Sequence, residues 1–359
     1  MVIAELGRVE RYIPGLLVKE KDFAKKEREY YTHQGVKKAV EYIDSQYGAN
    51  SATDKNRDSR LFYHSKWHTE GFIARAEAIF DAVEKVDPNS LGATKEEREE
   101  ARDVLRLAGA FHDTIQISIV DPNQKPDASG MTPKKRLRAT GENERQSAEA
   151  ATLYMKKVNA VAGHIVYYDS FISSVNKAIL LTDPTGGWTG KTISVPGFVN
   201  ADILSQITQL ADLGGTGMDG RNVGVYEALS LFAEENMDFR GDVDKIIYST
   251  RRQQVLPSEN RQEWYKTRLI NWLSAQQNFI EGRRELILGA GNESMGKEIN
   301  ALKVSTDAKK AVKALFVEKN FAGSIEELEK LKIKYAKMPA FKDWAGRLMD
   351  SLVLPPASY

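Results

Sequence analysis

Five histidines occur in this chain of 359 residues, and two of them stand where chemistry could be built. His68 closes the run Tyr63-His64-Ser65-Lys66-Trp67-His68. His112 ends a largely apolar stretch and is followed at once by Asp113. Further on, Asp212 lies in Leu210-Ala211-Asp212-Leu213-Gly214. A histidine, a His-Asp doublet and an aspartate on separate apolar helices form a mixed nitrogen and oxygen donor set. Such a set suits a divalent metal that activates water. His64 and His68, four residues apart, are expected to share one helical face. Neighbouring side chains on a helix point about 100° apart, so His112 and Asp113 can reach one ion only near a helix end. An ionised Asp113 beside an apolar run would be costly unless paired or metal-bound. Asp202 is a rival to Asp212 on the same expected helix, or else that helix's N-cap.

The elements that must position these groups read as helices. Helical spacing covers 18–46, then 64 to about 86, ending at Asp87-Pro88. Thr94-Lys95-Glu96-Glu97 is a capping box opening a helix to about His112. Residues 120–141, rich in Asp, Pro, Gly, Lys and Arg, read as a long exposed loop of the kind that is often functional. Further helices are expected over about 143–158, 170–182, 198–213, 222–256 and 257–288, with a turn at Asp183-Pro184-Thr185-Gly186-Gly187. Ser324-Ile325-Glu326-Glu327 reads as a capping box for a helix to about Tyr335. Gly214-Gly215-Thr216-Gly217 lacks the strand and Lys-Ser/Thr of a P-loop and reads as a helix stop. No alternating pattern is long enough to demand a sheet.

Bulk properties set the frame. With 42% hydrophobic and 28% charged residues, composition is that of an ordinary globular protein. A net charge of +1 gives no argument for nucleic acid or an anionic membrane. Arg251-Arg252 and the lysine-rich tail add too little to change that. The absence of cysteine excludes disulfides, thiolate zinc sites and thiol catalysis, and fits a reducing compartment. No signal peptide and no membrane helix are expected, which points to the cytoplasm.

Several pieces resemble the HD-domain metal-dependent phosphohydrolase superfamily, and within it the bacterial branch described as predicted HD phosphohydrolases. Arg60 to His68 resembles its "R-x-x-Y-H-N-x-x-H", Ala110-Phe111-His112-Asp113 its "A-x-F-H-D", and Asn143-Glu144-Arg145-Gln146-Ser147-Ala148 its "N-E-x-x-S-A". Leu180-Leu181-Thr182, Ala211-Asp212-Leu213 and Phe279-Ile280-Glu281-Gly282-Arg283 follow in the family's order. The closing motif departs from the pattern, with Leu210 where the family often has an aspartate. The resemblance spans about 58–290. It implies an all-α HD-domain helical bundle in which His68, His112, Asp113 and Asp212 hold the metal between helices.

The resemblance further implies a metal-dependent phosphohydrolase in which an activated water attacks a phosphomonoester or phosphodiester, a nucleotide among the candidates. Mn, Mg, Fe, Ni, Co and Zn all remain open as the divalent ion. Phosphate also needs cations. Lys66 beside His68 and Arg145 beside Glu144 are the candidates, with Lys134 to Arg138 either a lid or a solvated charge run. His64 is a candidate for contacting phosphate or protonating the leaving group. Glu144 reads as a base, a support for the ligands or a helix N-terminal charge. His164 reads as structural or surface. Residues 1–57 are expected as a helical lead-in and 295–359 as a small helical appendage, with homo-oligomers possible in principle. The competing reading is a non-catalytic metal- or nucleotide-binding regulatory module. A di-iron oxygenase would need more histidines than His164 supplies between the doublet and Asp212.

Overall fold

Local signals place many of the helix ends. The Thr94 hydroxyl accepts from Glu97 N at 3.1 Å and the Glu97 carboxylate accepts from Thr94 N at 3.0 Å, a reciprocal cap. The computed structural model describes residues 20–48, 60–120, 125–126, 130–139, 141–183, 197–247, 256–291, 293–352 and 356. Residues 1–19 and 49–57 of the lead-in, the 184–187 part of the turn, and Arg251-Arg252 lie outside them.

The helices are α1 (Glu20–Tyr47), α2 (Lys66–Val86), α3 (Lys95–Phe111), α4 (Glu142–Ala162), α5 (Asp169–Leu180), α6 (Ile203–Asp212), the single turn α7 (Gly215–Met218), α8 (Arg221–Glu235) and α9 (Met237–Ile247). They continue with α10 (Glu259–Leu288), α11 (Lys297–Ala301), α12 (Thr306–Leu315), α13 (Glu318–Lys337) and α14 (Phe341–Asp350). The class is all-α. The β features among the described residues are a short antiparallel pair, β1 (Ser118–Val120) and β2 (Arg136–Arg138), with Ile119 opposite Leu137, and an isolated bridge between Lys135 and Asn236. This pair corrects the reading of 120–141 as wholly loop: its far end forms β2, and Arg136 there is buried.

Two apolar clusters make the interior. One joins α1, α3, α4 and α5 through Tyr31, Leu107, Phe111, Tyr154, Val158 and Phe171. The larger joins α2, α6, α8, α9 and α10 with all of α11–α14, through Phe72, Ile207, Phe232, Leu273, Phe321 and Trp344. The segment expected as an appendage therefore shares the larger core. Arg283 of α10 locks α11 to it with a buried two-pronged bond to Glu298, at 2.6 and 2.8 Å. The two clusters meet where Ile73 and Leu204 pack against both, beside α2, α3 and α6.

Three local expectations are corrected. Ser324 does not cap a helix. It lies within α13, which starts at Glu318, and its hydroxyl back-bonds to Asn320 O at 2.9 Å and reaches Arg221 O at 3.1 Å. The expected 222–256 helix breaks at Asn236, whose φ of −100° and ψ of 73° are not helical. The Gly214–Gly217 run does not only stop α6. A Cβ on Gly217 would lie 2.4 Å from Phe321 Cζ, so the glycine is what lets α13 dock so closely.

Candidate metal centre and its cavity

Each of the four expected ligands is delivered by a helix end or first turn. His68 lies in the first turn of α2, His112 is the C-cap of α3 with Asp113 beyond it, and Asp212 is the last residue of α6. The helix end between His112 and Asp113 lets both side chains face one point. His112 Nε2 is 3.0 Å from Asp113 Oδ2, 3.4 Å from His68 Nε2 and 3.7 Å from Asp212 Oδ1. His68 Nε2 is 3.2 Å from Asp212 Oδ1 and 3.6 Å from Asp113 Oδ2. All four residues are buried or nearly so.

Neighbours hold these groups in place. His112 Nδ1 donates to Gly109 O at 2.7 Å, which leaves Nε2 to face the cluster, as a ligating histidine requires. Phe72 stacks on the His112 ring at 4.4 Å and Tyr63 packs on His68 at 4.3 Å. His68 Nδ1, by contrast, is buried with no hydrogen-bond partner among the described residues. Gln116 Nε2 donates to Asp113 Oδ1 at 2.8 Å. The loop after Asp113 is fastened to α4, where Asn143 Oδ1 accepts from Ile117 N at 2.8 Å and Ser147 Oγ from Ile115 N at 3.1 Å. Those two residues belong to the Asn143–Ala148 motif, so that motif supports the doublet. Arg75 of α2 donates to Ala211 O and to Asp219, each at 2.6 Å, and so steadies the end of α6 beside Asp212.

The donor set fits a divalent cation. Two imidazole nitrogens and two carboxylate oxygens converge in a low-dielectric setting, and one atom each from His68, His112 and Asp212 lies within 4.8 Å of the others. Electrostatics record the same demand for positive charge. Burial alone would lower His112, yet Asp113 and Asp212 outweigh it and hold it up at about 9. Burial works against the ionised Asp113 and Asp212, but the histidines keep both carboxyls below the usual range.

His64 is placed differently from the expectation. Ser65 is the extended N-cap of α2 (φ −124°), so His64 precedes the helix and does not share a helical face with His68. Its Nδ1 pairs with Glu234 Oε1 at 2.5 Å, and Glu234 Oε2 accepts from the backbone N of Phe62, Tyr63 and His64 at 3.1–3.3 Å. Burial pushes Glu234 up, but His64, Arg138 and Arg136 pull it down to about 2.

A cavity of ≈ 120 Å³ opens beside the cluster, and its walls include Asp113, Asp212, His64, Glu144 and Arg138. Glu144 is buried at the start of α4, accepts from Gly141 N at 2.6 Å, and is pushed up mainly by burial. Of the cations considered, Arg138 is the one at the cavity. Its side chain is only 22% exposed; among the described residues its nearest carboxylate oxygen is Glu144 Oε1 at 3.9 Å, and its buried Nε has no hydrogen-bond partner. Lys66 and Arg145 are not brought there. Lys66 is 49% exposed and faces Glu70, and Arg145 is 50% exposed and pairs with Glu142 and Glu149 on its own helix. Asp202 caps α6, accepting from Ser205 N at 2.8 Å. His164 bonds Glu27 at 2.7 Å, away from the cluster.

Sequence reading missed Glu227 and Glu234. They lie seven apart in an apolar stretch of α8, so they share a face with Gly224, Ala228 and Leu231, which also line the cavity. That spacing was the available signal. No family model, curated protein or solved structure matches the chain. No helix among the described residues is long and apolar enough to cross a membrane.

Proposed function

We propose that the chain is a metal-dependent phosphohydrolase acting on a small-molecule phosphate ester, and that its likeness to the HD-domain superfamily is one of descent. The observation that carries this reading is the convergence of His68, His112 and Asp212, with Asp113 Oδ2 3.0 Å from His112 Nε2, beside a cavity lined by Arg138, whose Nε has no hydrogen-bond partner among the described residues. When bound by those four residues, a divalent ion supplies water activation and polarisation of a phosphoryl oxygen.

The chain's own groups complete the site. Arg138 presents a guanidinium to phosphate oxygens, where a planar fork of donors is worth more than an exposed lysine. Glu234 fixes the His64 ring through Nδ1, which leaves Nε2 as the nitrogen able to hand a proton to a leaving oxygen. Apolar residues on α8 and α10 exclude bulk water and strengthen these interactions. Glu144 supports Arg138 and closes the start of α4.

The test is a phosphate-ester panel with metal-loaded protein, comparing wild type with Asp113→Ala. Hydrolysis by the wild type and its loss in a folded Asp113→Ala supports the reading. Metal and ligand binding with no turnover across the panel would instead favour a regulatory binding module.

A further inference from the structure

The wall of the cavity formed by α8 and α10 has a chemistry that metal and phosphate binding do not use. It is apolar at Leu231, Phe279 and Ile280, with two polar groups set into it, Glu227 and Gln276. Glu227 Oε1 is buried and has no hydrogen-bond partner among the described residues. Oε1 is closed off against Gly215, so the carboxyl meets a ligand in the cavity through its other oxygen. The surroundings are shaped to keep that carboxyl in place: a Cβ on Gly215 would lie 2.4 Å from Glu227 Oε1. Burial raises the Glu227 carboxyl to about 8, against the pull of Arg75, so near neutral pH it is mostly protonated. A protonated carboxyl and a primary amide each donate and accept, and so does a hydroxyl group.

Size narrows the ligand further. Sites that enclose drug-sized molecules run to roughly 300–1,000 Å³, and a dry cavity of about 150 Å³ takes up benzene. At ≈ 120 Å³ the enclosed space holds a phosphate and a few carbons.

Resting on the phosphohydrolase reading, we propose that the substrate is the phosphate ester of a small uncharged polyol, with its phosphate at Arg138 and the metal ligands and a hydroxyl bonded by Glu227 and Gln276. Glu227 is thus a specificity residue, and the apolar wall between the two polar groups lies along the carbon chain. A second anionic group on the substrate would be rejected, since the apolar wall would strip its water and Asp212 lies beside it.

Calorimetry on the manganese-loaded full chain tests this, with inorganic phosphate, glycerol 2-phosphate, phosphoethanolamine and adenosine 5′-monophosphate as probes. Glycerol 2-phosphate should bind about tenfold tighter than inorganic phosphate, the rough worth of one added hydrogen bond. Glu227→Met, close in shape and free of polar atoms, should erase that difference and leave phosphate affinity unchanged. Glu227→Gln should keep most of it. An unchanged preference in Glu227→Met, or tighter binding of the nucleotide, overturns the proposal and leaves the hydrolase reading standing. Tighter binding of phosphoethanolamine, with loss in both variants, overturns it in favour of a cation at Glu227. Failure of inorganic phosphate to bind the metal-loaded wild type overturns both.

Discussion

His64 Nδ1 and Glu234 Oε1 lie 2.5 Å apart although the residues are separated by 170 positions. The second Glu234 oxygen gathers three backbone amides from the turn that leads into α2. One buried carboxylate therefore holds both the His64 ring and the entry to the helix that carries His68.

The pH dependence of stability follows from that placement. Glu234 sits at about 2 in the folded state against an ordinary 4.5, because His64 and the arginines outweigh its burial. A depressed carboxyl stabilises the fold fully above about 4.5, and that contribution is lost as pH falls towards about 2. Glu234→Gln should cost about 3 kcal/mol at pH 7, as for breaking a buried pair. In urea unfolding at pH 7 and pH 3, the gap between wild type and variant should narrow at the lower pH. A gap that widens instead would contradict the assignment.

Arg138 and Arg145 separate a residue at the cavity from one on the surface. Arg138→Ala should lower kcat/KM on a phosphate ester by roughly 10²-fold, the scale of removing one preorganised donor. Arg145→Ala removes only exposed pairs with Glu142 and Glu149 and should change it less than about twofold. Equal losses in the two variants would mean that the phosphate is not held at Arg138.

Asp202 and Asp212 occupy opposite ends of α6, so their roles can be split. Asp202→Ala removes an N-cap and should cost about 1 kcal/mol of stability with metal content unchanged. Loss of metal in this variant, measured by elemental analysis alongside an unfolding curve, would restore Asp202 as a ligand.

Gly217→Ala tests how tightly the C-terminal helices are built into the site. The added Cβ would meet Phe321 Cζ at 2.4 Å and Phe316 Cδ1 at 2.9 Å, and both rings are buried. Overpacking of this kind should destabilise by about 1–3 kcal/mol in urea unfolding. A neutral result would mean that α13 sits more loosely than its packing indicates.

The helical class and the cluster were legible in the sequence for different reasons. Thr94-Glu97 and Asp87-Pro88 are local signals that act within a few residues, so they place the ends of α3 and α2 without knowledge of the fold. The His112-Asp113 doublet was readable because two neighbours can converge only at a helix end, and α3 ends at Phe111. What was not legible depends on contacts far apart in the chain. The Glu234 pairing pulls His64 off the helix, and the choice of Arg138 over Lys66 and Arg145 depends on how β2 lies beside α4. Ser324 and Gly217 were misread because each has an ordinary local role as cap or helix stop. Here the packing of α13 against α7 and α8 takes both.

The metal centre itself is tested most directly by metal content per chain in protein purified without chelator, wild type and Asp113→Ala side by side. About one transition metal per wild-type chain, lost in a folded Asp113→Ala, is the expected result. Equal metal in both proteins, or none in the wild type even after loading with manganese, nickel or iron, would contradict the assignment of His68, His112, Asp113 and Asp212 as its ligands.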